Sequence, residues 1–236
     1  MTAATPRTFS RNGVTATLYL GDCLQIMPAL GKVDAVVTDP PYGVAWDTSY
    51  QPKEGTLTFS QKNSSAPHAR NLVRKKHAPI VGDDKPFDPS PWLTFKIVAM
   101  FGANNFSDKL PQGSWLVWDK RDAMQNAFMS QAEAAWLNSG KSIRLMKHCW
   151  QGFSRASENS EHYHPTQKPV MVMAWMMERL EVPQGAVVLD PYMGSGTTGI
   201  ACVRTGRNFV GIEKDPKHFA TALARLEAEM NQGALL

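Results

Sequence analysis

The run Val33-Asp34-Ala35-Val36-Val37-Thr38 ends in Asp39-Pro40-Pro41-Tyr42, and this junction constrains the fold more than any other stretch. Val33, Ala35, Val36 and Val37 read as a short buried strand. Two prolines can neither extend a ladder nor enter a helix interior, so the chain must stop and turn there. The turn brings together a carboxylate, prolyl carbonyls and an aromatic ring. Such a group suits a flat molecule bearing an amino group. Carboxylate and carbonyl accept the amino hydrogens, and the ring covers the face. A surface turn with an incidental tyrosine is the alternative, and these residues alone leave it open.

A second strand ends in an acid. Val187-Val188-Leu189 leads into Asp190, and Gly194-Ser195-Gly196-Thr197-Thr198-Gly199 follows before a helix expected over Thr197 to Arg204. The glycines fit G-x-G-x-x-G, and the next strand, Asn208 to Ile212, ends in Glu213. Strand, glycine turn, helix and acid make up the context of a nucleotide-binding turn, with the acid placed for ribose hydroxyls. Asp190 stands where a dinucleotide would put its pyrophosphate, and a carboxylate there repels phosphate. It suits a ligand carrying an ammonium and a sulfonium, such as S-adenosylmethionine. As an alternative, Asp190 is only a favourable charge before the helix.

Between these stretches strands and helices alternate. Thr15 to Leu20 reads as a strand, and Cys23 to Leu30 as a short helix capped by Asp22. Ser90-Pro91 is expected to open a helix to about Met100. Trp115 to Trp118 and Ile143 to Trp150 read as strands, and Ala123 to Asn138 as helix-forming. Thr166 is expected to cap an apolar, buried helix from Lys168-Pro169 to Leu180. The last helix, Pro216 to about Met230, carries Phe219, Leu223, Leu226 and Met230 as one stripe. The alternation predicts an α/β fold, a doubly wound, mainly parallel sheet with helices on both faces.

Charge is unevenly placed. Between Gln51 and Ile80 six Lys/Arg face one acid, a surplus of five, whereas the whole 236-residue chain has a net charge of +4. That polar segment has no sustained period and is long for a loop inside a compact domain. A basic segment on a nearly neutral body suits a polyanion, although a solvated loop has the same composition. Residues 47–81 are therefore expected to form a mobile basic insertion in a single domain, 1–236. Lys62, Arg70, Arg74, Lys75 and Lys76 are its candidate contacts to such a polyanion. The three cysteines are odd in number and far apart, which predicts a reducing cytoplasm and no metal site. His162-Tyr163-His164 reads as a loop rather than a metal site. Val170 to Met177 is too short to span a bilayer, and Met1 to Ser10 lacks the apolar core of a signal peptide.

Taken together, these motifs resemble the DNA amino-methyltransferases that modify adenine N6 or cytosine N4. The resemblance is to the permuted group, whose catalytic motif precedes the cofactor motif. It rests on Gly21-Asp22, Thr38 to Gly43, Trp118-Asp119-Lys120, His164 to Pro169, Leu189 to Gly199 and Gly211-Ile212-Glu213. It implies a Rossmann-like methyltransferase fold, S-adenosylmethionine as cofactor, DNA as partner and, in many members, a homodimer. Asp39, Pro40, Pro41 and Tyr42 would hold an extruded base. Asp190, Gly194 and Gly196 would bind the methionine end of the cofactor and Glu213 its ribose, with Tyr192 and Ser195 as further cofactor-binding candidates. Asp22 would lie near the cofactor adenine, and Thr166 and Lys168 would meet its carboxylate. Tyr192 departs from the phenylalanine usual in the family. The interval between Trp150 and His164 is short for a target-recognition region, which puts a stringent target sequence in doubt. Asp39 favours adenine over cytosine N4, since enzymes of the latter kind more often have serine there. An NAD-dependent oxidoreductase and a non-catalytic nucleic-acid-binding module are the more distant alternatives.

Overall fold

The computed structural model describes residues 5–44, 82–121, 130–151, 154, 155, 157 and 167–232. The strands are β1 (Arg7–Arg11), β2 (Val14–Leu20), β3 (Ala35–Thr38), β4 (Val98–Phe101), β5 (Ser114–Asp119), β6 (Ala132–Leu137), β7 (Ile143–Lys147), β8 (Trp150–Gln151), β9 (Ser154–Arg155), β10 (Val187–Asp190) and β11 (Asn208–Glu213). The helices are α1 (Cys23–Ile26), α2 (Val170–Arg179), α3 (Thr197–Arg204) and α4 (Pro216–Asn231). Nine strands form one sheet in the order β1-β2-β11-β10-β3-β4-β6-β5-β7, and β8 and β9 form a separate ribbon. From β2 to β4 all neighbours run parallel, which is the doubly wound core expected from the alternation. β6 runs antiparallel to both β4 and β5, and β1 antiparallel to β2.

Both faces of the sheet are covered, unequally. Ala35 and Val37 of β3 point to one face and pack with Val172, Met173 and Met176 of α2, Ile200 and Ala201 of α3, and Leu226 of α4. Val36 points the other way, toward Cys23, Phe87, Trp92 and Phe106. That second face is covered by α1 and by irregular chain, because residues 90–97 form turns and bends rather than the helix expected from Pro91. The apolar run Val98–Phe101 is instead a fully buried strand. The helix expected over Ala123 to Asn138 is also replaced, in its described part, by strand β6. α2 begins at Val170 with Pro169 as its N-cap; Thr166, the expected cap, lies outside the described residues.

The carboxyl ends of β3 and β10 are neighbours, with Val188 opposite Ala35 and Leu189 opposite Val36. From this pair the chain winds outward in both directions, to β4 on one side and to β11 and β2 on the other. It is a topological switch point, where open α/β sheets form a ligand crevice beyond the strand ends.

Candidate active site

The Asp39 turn lies at the carboxyl end of β3. Tyr42 folds back so that its hydroxyl donates to Asp39 Oδ1 at 2.5 Å. Gly102, just after β4, makes room for this. It has a φ of 64°, and a β-carbon there would overlap the Tyr42 ring. The other Asp39 oxygen, Oδ2, accepts from Lys168 Nζ at 2.5 Å. Burial pushes the Asp39 carboxyl up; the Lys168 ammonium opposes this and Glu133 adds to it. Burial and the neighbouring Asp39 charge also raise Tyr42, so its phenol stays a donor.

Lys168, the residue expected at the cofactor carboxylate, has its ammonium against the Asp39 turn. Its side chain is 6% exposed. Besides Asp39 it meets Glu133 Oε2 at 3.1 Å, and the ring centroid of Phe101 lies 5.3 Å from Nζ. Burial alone would lower its pKa, but Asp39 and Glu133 together raise it well above the ordinary lysine value. Glu133, on β6, also accepts from Lys120 at 2.8 Å. Burial would raise Glu133, and the two lysines outweigh it and hold the carboxyl low. Asp39, Tyr42, Lys168, Glu133 and Lys120 thus form one connected polar cluster. Sequence reasoning missed Glu133, because only strand pairing brings β6 beside β4.

At the end of β10, Asp190 is 2% exposed. Its Oδ1 accepts from Thr38 Oγ1 at 2.6 Å and from the Tyr192 amide at 3.1 Å, and its Oδ2 from Thr198 Oγ1 at 2.5 Å. Burial raises its pKa to about 6 against the pull of those hydroxyls. The carboxylate expected to face a ligand therefore lies beneath the glycine turn and ties it to both β3 and α3. Gly194, at φ 52°, opens outward: nothing lies within 4 Å of where a β-carbon would be. Gly196 differs, because its missing β-carbon would lie 3.1 Å from Ala222 of α4, so it serves close packing. Ser195 is buried, and its hydroxyl and carbonyl accept from Arg225.

Glu213 ends β11 beside this turn. Its Oε2 accepts from the Gly194 amide at 2.9 Å and its Oε1 from the Asp215 amide at 2.7 Å. Burial raises it, opposed by the Asp215 amide. Each oxygen keeps a lone pair for a further donor. Tyr192 packs edge-on against Trp92, with ring centroids 5.7 Å apart, and against Phe87 at 5.9 Å. Asp22 caps α1 through the Leu24 amide and pairs with Lys214 at 3.0 Å, which holds its carboxyl low. Thus the structure gathers Asp190, Tyr192, Gly194 and Glu213 around one turn. It gathers Asp39, Tyr42 and Lys168 around the adjacent one.

Thr166, Lys62, Arg70, Arg74, Lys75 and Lys76, and the whole 47–81 segment, lie outside the described residues. Among the described residues no cluster of His, Cys, Asp and Glu could hold a metal ion, and no helix is long and apolar enough to cross a membrane.

Comparison with known proteins agrees with this arrangement. A family profile described as DNA methylase matches residues 129–224. The type II methyltransferase M2.DpnII of Streptococcus pneumoniae is 40% identical over 97 residues, which are 39% of this chain and 34% of that protein. The chain thus matches about a third of that relative's length. The putative methylase YubD of Escherichia coli (strain K12) is 27% identical over 224 residues, 91% of this chain and 92% of that one. Among solved structures, the M1.HpyAVI–SAM complex superposes with a TM-score of 0.51 at 22% identity, covering 89% of this chain and 100% of that one, a likeness of fold. The strand-end carboxylates, the glycine turn and these matches point one way: over residues 129–224 the chain is similar to the DNA methylase family.

Proposed function

We propose that the protein transfers a methyl group from S-adenosylmethionine to adenine N6 in DNA. The observation that carries this reading is the Asp39-Pro40-Pro41-Tyr42 turn beside the Gly194 turn, at the switch point between β3 and β10. The residues present fit the cofactor. Glu213 has lone pairs for ribose hydroxyls, the space outside Gly194 admits a ligand against the backbone, and Asp190 sets a negative potential beneath it. A relative in fold was solved as a SAM complex, which supports the same choice. When bound, S-adenosylmethionine supplies an electrophilic methyl group.

The chain's own work is on the acceptor. The adenine amine is a poor nucleophile because its lone pair is delocalised into the ring. One N–H donating to Asp39 and the other to the Pro40 carbonyl would draw the nitrogen toward pyramidal geometry. The Asp39 charge would then offset the positive charge that builds on the nitrogen, which is transition-state electrostatics. The amine proton that must leave has Asp39 within reach. A base within a duplex cannot enter this turn, so it must swing out and stack on an aromatic face, for which Tyr42 is the candidate. In this reading the chain is one domain with a DNA-contacting insertion at 47–81, and pairs as a homodimer.

The test is incubation of purified protein with isotopically labelled S-adenosylmethionine and unmethylated DNA, followed by nucleoside analysis. Labelled N6-methyladenine is expected. Labelled N4-methylcytosine would overturn the acceptor, and no labelled nucleoside would overturn the reaction.

A further inference from the structure

Both Asp39 oxygens are occupied in the structure, one by the Tyr42 hydroxyl and one by the Lys168 ammonium. An amine arriving at Asp39 must displace one of them or share with it. Lys168 is 6% exposed, and a buried ammonium left without a carboxylate is strongly destabilising. With Asp39 as its only counter-ion, Lys168 could not yield. It has a second carboxylate, Glu133 Oε2, at 3.1 Å. Glu133 is itself held in place by Lys120, which binds its other oxygen at 2.8 Å. Pairing of β6 with β5 sets Glu133 opposite Trp118.

Resting on the methyl-transfer reading above, we propose that Glu133 is a positioning residue for Asp39. It acts through Lys168, drawing the ammonium off the carboxylate so that an oxygen is free for the acceptor amine. Glu133 does not touch the base. Its hold on Lys168 sets how firmly Asp39 is latched, and its charge sets how readily Asp39 ionises.

Among the described residues, the charged and titratable groups facing Asp39 are Tyr42 on its own turn, Lys168 ahead of α2, Glu133 on β6, and Asp190 on β10; Lys120 beyond β5 acts through Glu133. Glu133 raises the Asp39 carboxyl, so removing its charge lowers it. Removing Lys120 leaves the Glu133 charge less neutralised and raises it. Transfer needs Asp39 ionised, so the acid limb of the rate profile follows these shifts.

The experiment measures turnover against pH for wild type, Glu133→Gln and Lys120→Met, with cofactor affinity of each by calorimetry. Glu133→Gln is expected to lower turnover about tenfold or more and move the acid limb to lower pH. Lys120→Met is expected to move it to higher pH. In a Lys168→Met background, Glu133→Gln should change turnover by less than about twofold. A purely structural role predicts lost turnover with the limb in place. That outcome in any folded variant overturns the proposal, as does an undiminished effect of Glu133→Gln once Lys168 is gone. If Glu133→Gln does not fold, the Lys120→Met shift decides alone. A wild type with no transfer at any pH overturns the methyl-transfer reading instead.

Discussion

Thr38 and Asp190 are 152 positions apart in the chain, and the Thr38 hydroxyl donates to the Asp190 carboxylate at 2.6 Å. The bond joins the end of the strand that presents Asp39 to the root of the glycine turn. Any displacement of one turn therefore pulls on the other.

That buried carboxylate leaves a mark on stability. Its folded pKa of about 6 lies above the ordinary 3.8, so the folded state binds the extra proton between those values. Stability contributed by this group is thus lowest above pH 6 and grows as pH falls toward 4. From pH 7 to pH 5 the gain is about 1 kcal/mol. Asp190→Asn should remove this gain, seen as the difference between the two proteins in urea melts at both pH values. Identical pH dependence would show that Asp190 does not titrate there.

Asp39→Ala should reduce transfer by about a hundredfold or more, the scale of losing one preorganised electrostatic group. Lys168 keeps Glu133 as counter-ion, so the variant should fold and bind cofactor as wild type does. Single-turnover rates and calorimetry check the two halves separately, and near-normal rates would remove Asp39 from catalysis.

Glu213→Ala should weaken cofactor binding by about 1–3 kcal/mol, the scale of lost hydrogen bonds to a charged group. Part of the loss comes from freeing the Gly194 and Asp215 amides that Glu213 now holds. Calorimetry with S-adenosylmethionine measures it, and unchanged affinity would exclude the ribose role.

Replacing Arg70, Arg74, Lys75 and Lys76 together by Ala should flatten the log–log salt dependence of duplex DNA binding by ~3–4, at about 0.9 per phosphate contact. Cofactor affinity should not move. An unchanged slope would mean that DNA is held elsewhere.

The parts of the site legible in the sequence are those written locally. Asp39 announces itself because prolines follow it at a strand end, and Gly194 to Glu213 because glycine spacing, helix and acid lie within one β-α-β unit. Partnerships across the sheet leave no such trace. Lys168 meets Asp39 over 129 positions, and neither neighbourhood hints at the other. Residues 90–101 misled because Pro91 suits a helix start and Ile97 to Phe101 is a continuous apolar run, which periodicity cannot assign to helix or strand. In β6 the alanines and Glu133 favour helix intrinsically, and pairing on both sides overrides that preference.

The sheet order also governs when this protein can become whole. β10 and β11 lie between β2 and β3, although they are among the last strands in the chain. A ribosome that has released everything up to Lys168 has therefore made the acceptor turn with a two-strand gap beside it. β2 and β3 then face each other across the gap as unpaired edges, the kind that recruits other chains. Only when β10 and β11 slide into the gap do the edges vanish, and Asp39 then gains its neighbour across the crevice. The Asp39 turn is thus made long before the Asp190 turn that completes the crevice beside it.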